Sequence, residues 1–143
     1  MAMKVELHRL NDAAHFEARN EQGNSVSIDG AEAIGGQGLG FRPMQLALTA
    51  LASCASMDVA PILRKQRQEL RDMRVTATGE RSGGTPSPFT AVNLHFDLYG
   101  NISESAARKA LDLAVHSYCS VGATFSGDVD ITWSLAIHPF GEA

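Results

Sequence analysis

The two cysteines of the chain, Cys54 and Cys119, carry the side chains with the most distinctive chemical potential. A thiolate is a strong nucleophile, and two thiols that meet can form and break a disulfide. Two cysteines are too few for the disulfide framework of a small secreted domain, and a reducing compartment would keep a purely structural bridge open. The pair is therefore either buried and inert or chemically active.

A long helix is predicted to carry Cys54. It begins at Arg42-Pro43, because proline is favoured at the first helical position, and runs over about residues 44–68. Residues 46–59 are apolar over most of the circumference, which indicates a helix buried on several sides. Pro61 lies inside the run and removes one backbone hydrogen bond, so we expect a kink there or a break into two helices.

The position of Cys54 in this helix decides what can ionise its thiol. Cys54 lies about 16 Å along the axis from the helix start at 1.5 Å per residue, too far for the helix dipole to act on it. A thiol with a pKa of about 8.5 then needs a cation from elsewhere to ionise at neutral pH. Arg64 is too distant along the same helix, so Arg42 before the helix and Arg19 in the N-terminal strands are the better candidates. The arginine could come from this chain or from a partner chain.

A second helix is predicted to lead to Cys119. It opens at Ser103, a good N-cap, and Glu104 in its first turn suits the positive end of the dipole. Apolar residues at helical spacing continue to Tyr118. Cys119 falls at the end of this helix, where the negative end of the dipole disfavours a thiolate. This position suits a resolving thiol better than an attacking one.

The other segments alternate apolar and polar residues, as half-buried strands do. Residues 4–29 predict an N-terminal antiparallel meander, residues 73–80 and 91–99 predict a hairpin, and residues 129–137 predict a last strand. The order β-β-α-β-β-α-β indicates an α+β fold with two main helices against an antiparallel sheet.

Composition narrows the class of protein. At 143 residues with 44% hydrophobic residues, residues 1–143 are expected to form a single domain with a core. The formal net charge is −4 and no basic block occurs, so neither nucleic acid nor an anionic membrane is an expected partner. There is no run of eighteen apolar residues, and the N-terminus alternates charged and aliphatic residues. We therefore expect a cytoplasmic protein.

The sequence around each cysteine resembles a known family. Residues 42–59, RPMQLALTALASCASMDV, resemble the OsmC/Ohr family (osmotically inducible protein C, organic hydroperoxide resistance), in which a Pro-x-x-Leu helix start leads through small residues to a reactive cysteine. Residues 117–124, SYCSVGAT, and 128–133, DVDITW, resemble its second cysteine motif and closing strand. The resemblance is closest to the YhfA-like subgroup, in which Asp-Val-x-x-Ile-Leu-x-Lys follows the first cysteine as residues 58–65 do here.

This resemblance implies an OsmC-like fold in an intertwined homodimer, with each active site at the subunit interface. It also implies a peroxide reductase without a bound cofactor. Cys54 would attack an organic hydroperoxide, and Cys119 would resolve the product to a disulfide that an external dithiol or lipoyl-type reductant reduces. The chain departs from the family at Met44, where Ohr-type members have a glutamate that orients the activating arginine. The family's arginine lies in the N-terminal hairpin and corresponds only loosely to Arg19.

Two other interpretations of the same residues stay open. A non-enzymatic dimeric binding module would hold a small hydrophobic ligand in an apolar pocket, with inert cysteines, and the methionine at position 44 favours it. A metal-thiolate protein would use mixed ligands without a Cys-x-x-Cys signature. Its ligands would be Cys54, Asp58, His116 and Cys119.

The glycine-rich segment at residues 36–40 mimics a dinucleotide-binding fingerprint, with Asp58 about twenty residues further on. No βαβ unit surrounds it, and the antiparallel pattern argues against that fold. We expect this segment to be a flexible entry to the first helix.

Overall fold

The structure is a computed structural model that describes residues 1–141. The chain forms two compact units, and the boundary between them lies between Ala47 and Leu48. The assignment of residues 1–143 to a single domain stays a prediction. The α+β class predicted from the sequence is confirmed, because sheet and helix alternate as expected.

The first unit contains a three-stranded antiparallel sheet, so the meander predicted from residues 4–29 is confirmed, with three strands where the predicted element order had two. Its register pairs Leu7 with Ala18 and Phe16 with Ile28, so the apolar side chains share one face of the sheet. The strands, in the order in which they pair, are β1 (Val5–Arg9), β2 (Phe16–Asn20) and β3 (Ser25–Ile28). A short 3₁₀ turn, Glu32–Ile34, follows.

The long helix α1 (Pro43–Lys65) starts in the first unit and continues through the second. Pro43 occupies the first helical position, where a missing N–H costs nothing. The Gln45 side chain accepts a hydrogen bond from the backbone N–H of Arg42 at 2.9 Å, which caps the helix start. The expected break at Pro61 does not occur, because the helix continues through this residue to Lys65.

The end of α1 is a Schellman motif. The N–H of Gln68 bonds to the carbonyl of Leu63, and the N–H of Arg67 bonds to the carbonyl of Arg64. Arg67 has φ of 58°, the left-handed conformation that this motif requires and that glycine usually supplies. The helix therefore ends three residues before the predicted position 68.

One side of α1 is completely buried, and much of the rest is not. Leu51, Ala55, Val59 and Leu63, spaced four residues apart, have no exposed surface. The most apolar 18-residue window has a mean hydropathy of 1.7, yet only 22% of it is buried. By length and composition this helix could cross a membrane, but core helices of soluble proteins pass the same test, so the finding carries no argument for a membrane.

The second unit is built on a three-stranded sheet, β4 (Glu69–Arg81), β5 (Phe89–Asn101) and β6 (Asp130–His138). The predicted hairpin is confirmed, since β4 and β5 pair antiparallel. β6 pairs parallel to β5, so the expectation of a wholly antiparallel sheet is wrong. The helical connection between β5 and β6 carries the chain back to the same end of the sheet, as a parallel pair requires.

The segment before β6 contains two helices and a π-helical stretch between them and departs from the predicted single helix. α2 (Glu104–Leu113) is capped by Ser103, whose Oγ accepts a hydrogen bond from the N–H of Ala106 at 3.2 Å, as predicted. The next stretch, Ala114–Tyr118, is π-helical, and α3 (Ser120–Thr124) follows Cys119. Cys119 is the C-cap of the π-helical stretch, so it ends the helical segment that begins with α2, as predicted. Its backbone is extended, and it is also the N-cap of α3.

Candidate active site

Cys54 lies in the middle of α1, in the second unit. Its side chain is partly exposed, and it stands between the fully buried residues Leu51 and Ala55. The thiol is thus on the flank of the buried side of the helix, where it keeps access to solvent. This position allows both packing against the unit's own core and contact with a small reactant.

Cys119 is fixed from two directions, and only 5% of it is exposed. The backbone N–H of Gly122 donates a hydrogen bond to its sulfur at 3.2 Å. The thiol in turn points its proton at the carbonyl oxygen of Leu51 at 3.9 Å, a long S–H···O contact. Leu51 precedes Cys54 by three residues in α1, so the second thiol lies over the helical turn that carries the first. The structure brings the two sequence-predicted cysteines together, and both are free thiols.

The surroundings of Cys119 favour its protonated form. Burial raises the pKa of the Cys119 thiol above its ordinary value, and the Gly122 N–H opposes this rise. The Cys54 side chain raises the pKa of Cys119 further, by a hydrogen bond and by its charge when ionised. The sequence predicted that Cys119 would resist ionisation because it lies at the end of a helix, and it does lie there. The structure adds two causes, desolvation, which is the largest, and the neighbouring Cys54.

Gly122 is a site residue that the sequence reasoning missed. A Cβ at this position would lie 3.4 Å from the sulfur of Cys119 and 3.5 Å from Cδ1 of Leu51. The absence of a side chain leaves that space open next to the thiol. The sequence held no specific signal for it, because cysteine is not among the preferred N-cap residues.

The two candidate activating arginines lie in the first unit, whereas both thiols lie in the second. Arg19 is on β2, where its Nε donates to Oε1 of Glu17 at 2.7 Å. Its side chain is 59% exposed. Arg42 is exposed and directly precedes α1, and its backbone N–H belongs to the helix cap. The role of either arginine at Cys54 stays a prediction.

The metal-ligand set considered from the sequence is not assembled. Within residues 1–141, no group of three or more histidine, cysteine, aspartate and glutamate side chains is arranged to hold a metal ion. His116 is exposed on the π-helical stretch, whereas Cys119 beside it is buried. Cys54 and Cys119 thus meet as a dithiol without the other two proposed ligands.

The glycine-rich loop before α1 is organised around Asp29, which the sequence reasoning also missed. Asp29 is 1% exposed and accepts hydrogen bonds from the backbone N–H groups of Gly30 at 2.8 Å, Gln37 at 2.9 Å and Leu39 at 3.1 Å. The bonds from Gln37 and Leu39 are the main cause of the lowered pKa of Asp29. The loop is therefore tied to a buried carboxylate, which corrects the expectation of a flexible entry.

A second polar cluster covers the outward face of the β5–β6 pair. His138 Nε2 and His95 Nε2 lie 2.8 Å and 3.5 Å from the same oxygen, Oδ1 of Asp97, and His95 Nδ1 lies 2.8 Å from Oγ of Ser134. The hydrogen bond from His138 is the largest cause of the lowered pKa of Asp97. Both histidines thus lie within ion-pair distance of one carboxylate oxygen.

An apolar cleft of about 290 Å³ lies in the first unit. This is near the lower limit of the volumes of small-molecule sites. The residues that line it are Leu7, Ala14, Phe16, Ile28, Asp29, Gly30, Ile34 and Pro43.

An α+β fold whose long apolar helix carries one thiol, with a second buried thiol set against the same helical turn, defines a dithiol protein. The chain belongs to the OsmC-like family, whose model, described as OsmC-like protein, matches residues 36–134. The resemblance stated from the two cysteine motifs is thereby confirmed.

Individual relatives agree with this assignment. The chain is similar to protein YhfA of Escherichia coli (strain K12), with 38% identity over 96 residues that cover 66% of this chain and 72% of the relative. The fold is similar to that of a hypothetical protein from Aquifex aeolicus VF5, at 28% identity over 96% of this chain and 98% of that chain, with a TM-score of 0.79. It is also similar to the organic hydroperoxide resistance protein OhrB of Bacillus subtilis, at 18% identity over 95% and 98% of the two chains, with a TM-score of 0.68.

Proposed function

We propose that this protein is a two-cysteine thiol peroxidase in which Cys54 attacks an organic hydroperoxide and Cys119 resolves the oxidised product. The observation that carries the proposal is the placement of a buried thiol, Cys119, against the helical turn that bears the partly exposed Cys54. The more accessible thiol suits attack on a small substrate. The buried thiol, whose pKa is raised by burial, stays protonated until its neighbour has reacted.

The chemistry proceeds in two steps. The Cys54 thiolate attacks the outer oxygen of the hydroperoxide and breaks the O–O bond, which leaves a sulfenic acid on Cys54. The alkoxide that departs takes a proton from solvent and becomes an alcohol. The Cys119 thiol then condenses with the sulfenic acid to a disulfide and releases water. An external dithiol, of the lipoyl type by family resemblance, returns both cysteines to thiols and is itself oxidised to a disulfide.

The substrate class is supported by the relatives. OhrB of Bacillus subtilis is named as an organic hydroperoxide resistance protein, and so is a neighbour from Legionella pneumophila. The activating cation is proposed to be Arg42 or Arg19, from this chain or its partner, because a cation adjacent to a thiol favours the thiolate.

We propose a homodimer in the cytoplasm as the working form. The main support is helix α1, of whose most apolar window only 22% is buried within the isolated chain. Met57 on this helix is 73% exposed, and Val5 and Leu7 of β1 are 63% and 57% exposed. Exposed apolar surface on this scale is typical of an interface.

The alternative function, a binding module for a small hydrophobic ligand, is favoured by one observation. The cleft of about 290 Å³ in the first unit is lined almost entirely by apolar side chains. In that case the cysteines would be inert, and ligand affinity would not depend on their redox state.

The two functions are separated by measuring the consumption of cumene hydroperoxide and of hydrogen peroxide with dihydrolipoamide as reductant. Wild type is expected to consume cumene hydroperoxide catalytically, and Cys54→Ser is expected to lose this activity. Ser56→Ala is the matched control, because Ser56 lies on the same helix and its hydroxyl donates a hydrogen bond to the helix carbonyl of Ala52 at 2.6 Å. If wild type and Cys54→Ser both consumed hydroperoxide only at the background rate, the peroxidase function would be rejected and the binding module favoured.

A further inference from the structure

The two cysteines of the proposed disulfide differ in solvent exposure. Cys54 is partly exposed on α1, whereas Cys119, the N-cap of α3, is 5% exposed. Thiol–disulfide exchange requires an incoming thiolate to approach one sulfur and expel the other, so access decides which sulfur is attacked.

We propose that the reductant attacks the sulfur of Cys54 and that Cys119 is the leaving thiolate, received by the backbone N–H of Gly122. This inference rests on the proposed redox function and assigns the direction of its reductive step. Gly122 acts as a positioning residue, since its N–H already lies 3.2 Å from the Cys119 sulfur in the reduced protein.

The exchange balances as two successive displacements. A thiolate of the external dithiol forms a bond to Sγ of Cys54, and the S–S bond breaks with its electron pair on Cys119. That thiolate takes a proton from solvent, and the resulting S–H points again at the carbonyl of Leu51. The second thiol of the reductant then attacks the reductant's own sulfur in the mixed disulfide, which releases Cys54 and the oxidised reductant.

The amide of Gly122 matters because burial and Cys54 oppose a charge on Cys119, whereas the backbone amides of Gly122 and, to a smaller extent, Val121 favour it. Burial and the neighbouring Cys54 both raise the pKa of Cys119, and a thiol of raised pKa is a poorer leaving group. Within the described contacts of Cys119, the Gly122 N–H is a hydrogen-bond donor aimed at this sulfur. A donor fixed where the negative charge develops lowers the barrier without reorganisation.

The direction of attack can be read from a trapped mixed disulfide. The protein is oxidised with diamide, so that the test does not depend on peroxidase activity, and then mixed with the small monothiol 2-mercaptoethanol. The reaction is quenched in denaturant with N-ethylmaleimide, and peptide mass mapping locates the two labels. We expect 2-mercaptoethanol on Cys54 and maleimide on Cys119, with a preference of about tenfold or more.

Adducts on Cys119, or an even distribution, would overturn the inference while leaving the disulfide and the peroxidase proposal in place. If diamide forms no Cys54–Cys119 bridge, both the inference and the proposed redox function fail.

The role of Gly122 is tested with two substitutions that differ in the amide. Gly122→Ala keeps the N–H and adds a methyl group at van der Waals distance, whereas Gly122→Pro removes the N–H. In a Cys54→Ser background, thiolate absorbance at 240 nm should show a higher Cys119 pKa for the proline variant than for the alanine variant. With both cysteines present, reduction of the disulfide should be about tenfold slower in Gly122→Pro than in Gly122→Ala. Equal Cys119 pKa values and equal reduction rates in the two variants would show that the Gly122 amide does not stabilise the Cys119 thiolate. The trapping experiment does not depend on either variant.

Discussion

The sulfur of Cys119 lies 3.9 Å from the carbonyl oxygen of Leu51, one helical turn before Cys54. This contact joins the segment after the π-helical stretch to the middle of α1. It explains how two cysteines far apart in sequence meet on one turn of one helix. It also places the carbonyl oxygen of Leu51, which is a hydrogen-bond acceptor, opposite the Cys119 thiol. An acceptor at this position favours the protonated thiol.

The first prediction separates the two cysteines by their oxidation products. Under excess cumene hydroperoxide, Cys119→Ser should gain oxygen atoms on Cys54, because a sulfenic acid without a partner thiol proceeds to sulfinic and sulfonic acid. Wild type should instead lose two hydrogens as the bridge forms. Intact mass spectrometry followed by peptide mapping distinguishes these outcomes. Oxygen uptake by Cys119 in Cys54→Ser at a comparable rate would reverse the assignment.

The second prediction concerns Asp29 and pH. Asp29→Asn places an amide NH₂ against backbone N–H donors that now bond to a carboxylate, so the melting temperature at pH 7 should fall by several degrees. The folded-state pKa of Asp29 is lowered from 3.8, so its stabilisation is present above that pH and is lost as the pH falls through the folded-state value. The difference between variant and wild type should therefore shrink in acid.

Calorimetry from pH 7 to pH 3 tests this pH dependence. Asp12→Asn is the matched control, because Asp12 is exposed in the same unit and should change the melting temperature little. If the difference in melting temperature between Asp29→Asn and wild type stayed constant down to pH 3, the proposed link between the Asp29 pKa and stability would be contradicted.

The third prediction concerns the glycine-rich loop. A Cβ at Gly36 would overlap the carbonyl group of Gly30, which is backbone and cannot move aside cheaply. Gly36→Ala should therefore lower the free energy of unfolding by about 3 kcal/mol or more, or prevent folding. Urea unfolding of Gly83→Ala supplies the comparison, since a Cβ at Gly83 meets nothing within 4 Å. Equal midpoints for the two variants would show that the loop adapts.

The fourth prediction concerns assembly. Light scattering after size-exclusion chromatography should give a dimer for wild type at micromolar concentration. Met57→Lys should shift it towards monomer, because Met57 is 73% exposed on the apolar helix α1 and a charge there would be buried at an interface. Lys109→Ala, on the exposed side of α2, should stay dimeric. A monomeric wild type would remove the support for a shared active site.

Local patterns predicted most of the fold. Alternation gave the N-terminal meander and the β4–β5 hairpin, and the cap at Ser103 lies where its residue type indicated. The parallel pairing of β6 was not predictable from its own residues, because a strand has the same alternation in either direction. That direction is set by the length and handedness of the connection from β5.

The site was predicted in part, for similar reasons. The surrounding motifs predicted that the two cysteines lie close together, whereas the local structure at Cys119 could not be predicted from them. Apolar spacing through Tyr118 cannot distinguish an α-helix from a helix that ends in a π-helical stretch, because both bury similar positions. Asp29 was missed because a lone aspartate beside a glycine resembles an ordinary turn, and only the folded loop brings the amides of residues 37 and 39 to it.

The parallel pairing of β5 with β6 also affects how the chain folds during translation. His95 bonds to Ser134, 39 positions further along the chain, so the β4–β5 hairpin leaves the ribosome before its third strand. During that interval the backbone groups along one edge of β5 have no strand partner, and an open edge invites pairing with another nascent chain. Closing a loop of this length also slows the final pairing relative to the hairpin. Slow translation between β5 and β6 should therefore lengthen the period in which newly made chains require chaperone protection.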